Sequence, residues 1–397
     1  MLDKALWRKV KRYLSDFRLL FAGWLLMAVI PWLRIWLKGK FDLDYSIFYH
    51  SFWHAWQQMP LYIIYPEDGN YFLYGPLFPL LMAPLAVLPY QLGRLGWMLL
   101  ITFIPFWSIR QSTFTRKQQL FLLWFIAVEA YTCILDSETN SLILASLLFA
   151  YYFINKEKDH WAALIMALGT VTKLFGIVGL AFLPFSRHKS RLLLAYVGWV
   201  VVLAVLPMAV FGPSYVWQEY HEWFDVLVHK NELNQFAAGQ NISLLGIVRK
   251  ISGCATYSDL WLVIPGLIAF VLPYLRFGQY QFTAFRQTIL ASILMFLILF
   301  STCSESYGYV IAMTGVGIWY TAAPWKRNRW DIALMVFAFI ITSMSPSDLF
   351  PKPIWRELIK PYSLKALPVV LVWLKLIYEL YTRDYDDHHK TKRYDET

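Results

Sequence analysis

The chain has 397 residues, of which 58% are hydrophobic and only 16% charged, with a mean hydropathy of +0.45. Soluble domains carry roughly 45–50% apolar and about 25% charged residues, so this balance excludes both an ordinary soluble protein and a disordered one and makes lipid the default solvent. Cys133, Cys254 and Cys303 are too few and scattered for a disulfide framework, and the net charge of +10 falls in short clusters between apolar runs, a pattern that sets membrane topology and not nucleic-acid binding.

A spanning helix needs about 20 apolar residues. In chain order, twelve segments approach this: residues 17–37, 91–109, 120–135, 141–154, 160–172, 174–185, 192–211, 260–275, 288–302, 307–323, 332–344 and 364–380. The first has too long an apolar stretch for a signal peptide and no small-residue cleavage site after it, so it reads as an anchor. Several others are short and must rely on tilt or neighbours. Residues 73–88 are apolar enough to cross, but Pro76, Pro79 and Pro84 interrupt them, with Pro89 just beyond. Charge decides their assignment. If this segment does not cross, the basic loops at 110–117, 156–158, 187–191, 276–286 and 326–329 join the amino terminus and the tail on one side, which then holds most of the 36 Lys and Arg. If it crosses, those loops move outside. Residues 73–88 are therefore expected to be re-entrant or interfacial, with both chain ends cytoplasmic. The expected architecture is an all-α polytopic membrane protein of about twelve transmembrane helices, in one domain over 1–381. A polar cytoplasmic tail, 382–397, carries His388 and His389.

The outer side then receives loops at 38–90, 212–259 and 345–363, short turns near Asp136, Lys173 and Glu305, and more than half of the 26 acids. Long loops are where function concentrates. In the first, Tyr45, Phe48, Phe52 and Trp56 fall on one helical stripe and Ser46, His50, His54 and Gln57 on the other, the pattern of an interfacial helix. Asp42 and Asp44 stand at its start. One can cap the helix and one can serve as a general base; the roles compete, because cap hydrogen bonds lower a carboxyl pKa and weaken the base. His50 and His54 have the spacing of helical metal ligands, but no HExxH glutamate lies between them and no third ligand is evident. No metal or cofactor is expected. Asn140, Gln240 and Asn241 offer amides to sugar hydroxyls or phosphate and equally suit helix caps, and Asn241 also opens a glycosylation sequon. Glu305 is either a second working carboxylate or a solvated loop acid. Glu129 lies inside the third expected span, where an acid needs a cavity or a partner, and the sequence names no partner.

Several stretches carry a family likeness: DYSIFYHSF from Asp44, PLYIIYPEDGNYFLYGPLFPLLMAPLAVLP from Pro60, ETNSLILASLLFA from Glu138, MALGTVTKLFG from Met166, GQNISLLGIVRK from Gly239 and SESYGYVIAMTGVGIWY from Ser304. Their order and spacing resemble polyprenyl-phosphate-dependent glycosyltransferases of the GT-C fold, and within them glycosyltransferase family 87, which includes α-mannosyltransferases. The likeness runs from about residue 42 to 380. It implies a fold with juxtamembrane helices in the first outer loop and an acid there as catalytic base, which here is Asp44. It further implies transfer of a hexose, mannose by the family's best-known example, from a polyprenyl-phosphate donor to a lipid or glycan acceptor outside a bacterial inner membrane. Lys173, Arg249 and Lys250 are then candidates for the donor phosphate, and Asp42, Tyr74, Asn140, Gln240, Asn241 and Glu305 for substrate contacts. The competing class is a lipid or lipid-linked-sugar transporter. Transporters commonly show internal repeats and midplane broken helices, whereas here no repeat relates the halves and the polar motifs sit at the outer ends of spans. Aromatics, 18% of the chain, concentrate in the outer loops, as suits a surface that holds a prenyl chain and stacks a sugar.

Overall fold

The computed structural model describes residues 13–39, 42–237 and 239–386; the basic amino terminus and the tail positions His388 and His389 lie outside the described residues. Among the described residues all regular structure is helical. The chain runs α1 (Phe17–Leu37), α2 (Leu43–Trp56), α3 (Leu77–Ala86), α4 (Tyr90–Gln111), α5 (Arg116–Phe125), α6 (Ala127–Leu135), α7 (Asn140–Asn155) and α8 (Asp159–Lys173). A 3-10 helix, Phe175–Phe185, precedes α9 (Lys189–Val205), α10 (Met208–Phe211), α11 (Pro213–Asn234), α12 (Leu244–Ser252) and α13 (Leu260–Val271). The last long elements are α14 (Thr283–Leu299), α15 (Tyr309–Ala322), α16 (Arg329–Phe337) and α17 (Leu367–Thr382).

The helices confirm a membrane protein and refine the span count. Phe17–Leu37, Tyr90–Gln111 and Lys189–Phe211 are long and apolar enough to cross, and α5 with α6, bent by 49°, make a fourth if taken as one broken span. The other segments read as spans are helical but shorter. At 1.5 Å per residue, the 16 residues of α7 cover roughly 24 Å of a hydrocarbon core about 30 Å thick. Among the described residues, then, three helices, or four with the bent pair, have the length of a full span, and the other expected spans are shorter apolar helices. The ten residues of α3 are likewise too few to cross, in keeping with a re-entrant or interfacial segment.

Two features of this packing shape the site. First, α8 and the 3-10 helix turn back on each other at Leu174, which adopts a left-handed φ of 60°. The reversal is tight because Gly176 lies against α8: a Cβ there would come 2.1 Å from the Met166 carbonyl oxygen. Lys173 is thereby carried to the tip of the hairpin. Second, the buried side chains form two clusters. The larger is built on α7, α8, α14, α15 and α17. The smaller gathers Tyr45, Phe48, Phe52, Tyr74, Phe78 and Trp97 with Trp223 and Val226 of α11. A cavity opens between the two.

Candidate active site

The cavity has a volume of about 280 Å³ and is lined by Asp44, Phe48, Asn70, Tyr71, Tyr74, Glu138, Asn140, Lys173, Trp223, Leu227, Lys230, Asn234, Gln240, Cys303, Ser304 and Glu305, among others. Its carboxylates come from three separate elements.

The two aspartates at the start of α2 have different fates. Asp42 is the N-cap and accepts a hydrogen bond from the Tyr45 amide at 3.3 Å. Its other oxygen takes the Arg94 guanidinium at 3.0 Å and the Ser137 hydroxyl at 2.7 Å, with Arg94 wholly buried. This aspartate fixes α2 against α4 and the turn before α7, and it does not line the cavity. Asp44, one residue into the first turn, does line it. Burial first, and then the negative charge of Glu138, Asp42, Asp136 and Glu305, push its carboxyl up to about 8. A helix N-terminus by itself would favour the anion, so desolvation and like charge outweigh the dipole here.

Of the expected stripe Tyr45, Phe48 and Phe52 are buried while Trp56 is exposed, and the opposite face is only partly open to water: Gln57 is exposed, but Ser46 and His54 are buried because residues 65–68 fold over them. Asp68 takes the Ser46 hydroxyl at 2.9 Å and pairs with His50 Nδ1 at 2.8 Å, while His54 stacks on Tyr65 with ring centroids 3.9 Å apart. This cover leads directly into Asn70 and Tyr71 at the cavity.

Lys173 meets the carboxylates from the α8 hairpin tip. Its Nζ donates to the Tyr74 hydroxyl and to Thr139 Oγ1, both at 3.2 Å, and lies 3.7 Å from Glu138 Oε2. Tyr74 reaches this group because Gly75 allows close approach: a Cβ at Gly75 would lie 2.1 Å from the Val171 carbonyl oxygen and 3.0 Å from the Trp223 ring. Glu305 lines the same cavity, and its carboxyl is pushed up to about 7 by burial and by Glu138, against the lowering pull of Lys173, a hydrogen bond from Gln240, and Lys230.

Not every expected residue reaches the cavity. Asp44, Tyr74, Asn140, Lys173, Gln240 and Glu305 are brought together; Asp42, Asn241, Arg249 and Lys250 do not line it. Arg249 is turned into its own loop, donating to the carbonyls of Ala255 and Tyr257 and pairing with Asp259 at 2.7 Å. Lys250 is held by the carbonyls of Ala237 and Gln240 and by Ser363 Oγ, and burial lowers its pKa to about 8. Asn241 is fully buried, with its amide held by Gln235 and Ser243, so the sequon is closed in the folded chain. These cations and this amide build the frame around the cavity. Glu129 also finds its partner there: Lys365 Nζ lies 3.1 Å from its carboxylate and holds the Ser306 hydroxyl at 2.8 Å and carbonyl at 3.0 Å, fixing the turn after Glu305.

Residues 72–301, more than half of the chain, match the family model for glycosyltransferase family 87. The chain belongs to glycosyltransferase family 87. No curated protein matches it in sequence. Within the family segment fall Tyr74, Glu138, Asn140, Lys173, Lys230 and Gln240, whereas Asp44 precedes it and Glu305 follows it. The family thus makes the protein a membrane glycosyltransferase, an enzyme that needs a sugar donor and an acceptor. Lys230, Asn234 and Glu138 also line the cavity without standing out in the sequence as site residues. The first two share a helical face with Trp223 and Leu227, at spacings of four, three and four residues. That signal is visible once residues 213–234 are read as a helix and not as a loop.

Proposed function

We propose that this family 87 enzyme transfers a hexose, with mannose as the leading candidate, from a polyprenyl-phosphate donor to a lipid or glycan acceptor on the extra-cytoplasmic face, with Asp44 as general base. The observation that carries the proposal is the pairing, in one cavity, of a carboxyl raised to about 8 with the ammonium of Lys173. A carboxylate of that basicity takes a proton far more readily than an exposed aspartate, yet it still ionises near physiological pH. In the proposed step Asp44 removes the acceptor hydroxyl proton, the acceptor oxygen bonds to the anomeric carbon, and the bond from that carbon to the phosphate oxygen breaks, with its electron pair leaving on the phosphate. One in-line displacement inverts the anomeric centre. The leaving polyprenyl phosphate, a phosphate monoester anion, is weakly basic and needs positive charge more than a proton, which Lys173 and Lys230 would supply in place of Arg249 and Lys250. The site side and the cytoplasmic termini belong to this proposal and rest on the positive-inside pattern.

Transfer from a radiolabelled polyprenyl-phosphate sugar by the Asp44→Asn enzyme tests it. Loss of transfer with donor binding retained is the expected result, and wild-type transfer by Asp44→Asn removes the base from the scheme.

A further inference from the structure

Helix α11 carries three distinct faces. Trp223, Leu227, Lys230 and Asn234 line the cavity. Glu222, Asp225, His229 and Glu232 form a polar strip roughly opposite, about 150° away around the helix at 3.6 residues per turn. Between them run Trp217, Phe224 and Val228, left 63%, 68% and 46% exposed, with the exposed His221 on the same stripe, its ring edge-on to Trp217. A soluble helix does not leave a Trp and a Phe outermost on a stripe of this kind, whereas an interfacial helix does.

We infer that α11 lies in the headgroup region of the bilayer, with the Trp217–Phe224–Val228 stripe among phospholipid acyl chains, and forms the wall between the membrane and the cavity. The occupant of this stripe follows from continuity with the span before it. In the most apolar 18-residue stretch of the span Lys189–Phe211 only 17% is buried, and Leu194, Val197, Val201 and Val205 are all more than half exposed. That lipid-facing surface passes through the turn at Gly212, where φ is 98°, directly into Trp217. The helix is anchored at this height by Tyr220, whose hydroxyl donates to the Ala204 carbonyl of α9 at 3.0 Å, and by Tyr215, which donates to the Met59 carbonyl at 2.7 Å. On the inner side Trp223 Nε1 donates to the Leu73 carbonyl at 3.0 Å, so the wall is continuous with the segment that presents Tyr74. A lipid-linked substrate would then need to cross only the width of one helix to pass from the bilayer to Asp44.

The test is a nitroxide scan of the full chain in phospholipid vesicles, with labels at Trp217→Cys, Phe224→Cys, Val228→Cys, Glu222→Cys and His229→Cys in a Cys254→Ser, Cys303→Ser background. Positions 217, 224 and 228 are expected to be relaxed by oxygen in preference to an aqueous nickel chelate, and 222 and 229 by the chelate. Equal chelate access at all five positions overturns the inference. A second arm needs no cysteine background: Phe224→Glu is expected to raise KM for the lipid-linked donor about tenfold, through loss of apolar burial, while Phe224→Leu stays near wild type. Wild-type KM in Phe224→Glu counts against the inference. The label scan reads membrane depth alone, so it stands or falls separately from the proposed base.

Discussion

Two charged centres of this protein contrast sharply. Near Glu379, every charge has its counterpart: Arg327 pairs with Glu379 at 2.9 Å, Lys375 lies 3.4 Å from Glu379, and Asp331 is 3.9 Å from Arg327 and 4.0 Å from Lys375. In the cavity, Asp44 and Glu305 share the space with Glu138, and Lys173 leans on Glu138. The first centre joins helices α15, α16 and α17. The second holds carboxyls at about 8 and about 7, an arrangement that costs stability and that a merely structural cluster has no reason to keep. Charges that are matched build the frame; charges left under-neutralised are available for chemistry.

The largest expected effect lies in the cavity. Asp44→Asn should lower transfer by roughly 10²–10⁴-fold, the usual worth of a general base, while raising thermal stability at neutral pH, because the variant sheds the cost of a buried carboxyl among like charges. Lys173→Met should cost about 10²–10³-fold in kcat if its ammonium meets the leaving phosphate. Arg249→Met, aimed at a cation outside the cavity, should instead lower the unfolding temperature by stranding Asp259, and equal losses of turnover in the two variants would erase the contrast. Lys365→Met leaves Glu129 buried without its cation and should destabilise the protein by about 3–5 kcal/mol. Adding Glu129→Gln should restore most of that stability. Turnover should stay depressed in the pair, because the turn after Glu305 has lost its anchor on Ser306. Recovery of both stability and turnover would reduce Lys365 to a structural partner of Glu129.

The effect that bears least on turnover concerns stability and pH. Asp44 ionises near 3.8 when unfolded and near 8 when folded, so between these values the folded state keeps a proton that the unfolded state has released. The stability from this group is therefore full below about pH 4 and is lost as pH rises through about 8. Denaturant titrations across that range should show a shallower decline for Asp44→Asn than for wild type.

Much of the frame was legible because it depends on local pattern. The 21 residues of α1 coincide with the expected first span, since a long apolar run closed by charged flanks has one solution in lipid. Asp44, Lys173 and Glu305 stand out in the sequence because they lie in outer loops and turns between apolar segments, whereas Tyr74 enters only with the family likeness. What escaped was non-local. Lys365 is 236 residues from Glu129, and no periodicity reveals such a pair. Arg249 and Lys250 look available in sequence, but carbonyls of their own neighbourhood consume them. Conversely, the cavity face of α11 was hidden by reading a polar, tryptophan-rich stretch as a loop.

The pH dependence of kcat/KM for sugar transfer reaches the central claim most directly, since it reports the ionisation of the free enzyme's base. The wild-type profile should rise with an apparent pKa near 8, and that limb should vanish in the residual activity of Asp44→Asn. A limb that persists unchanged in Asp44→Asn would place the base elsewhere and contradict this account.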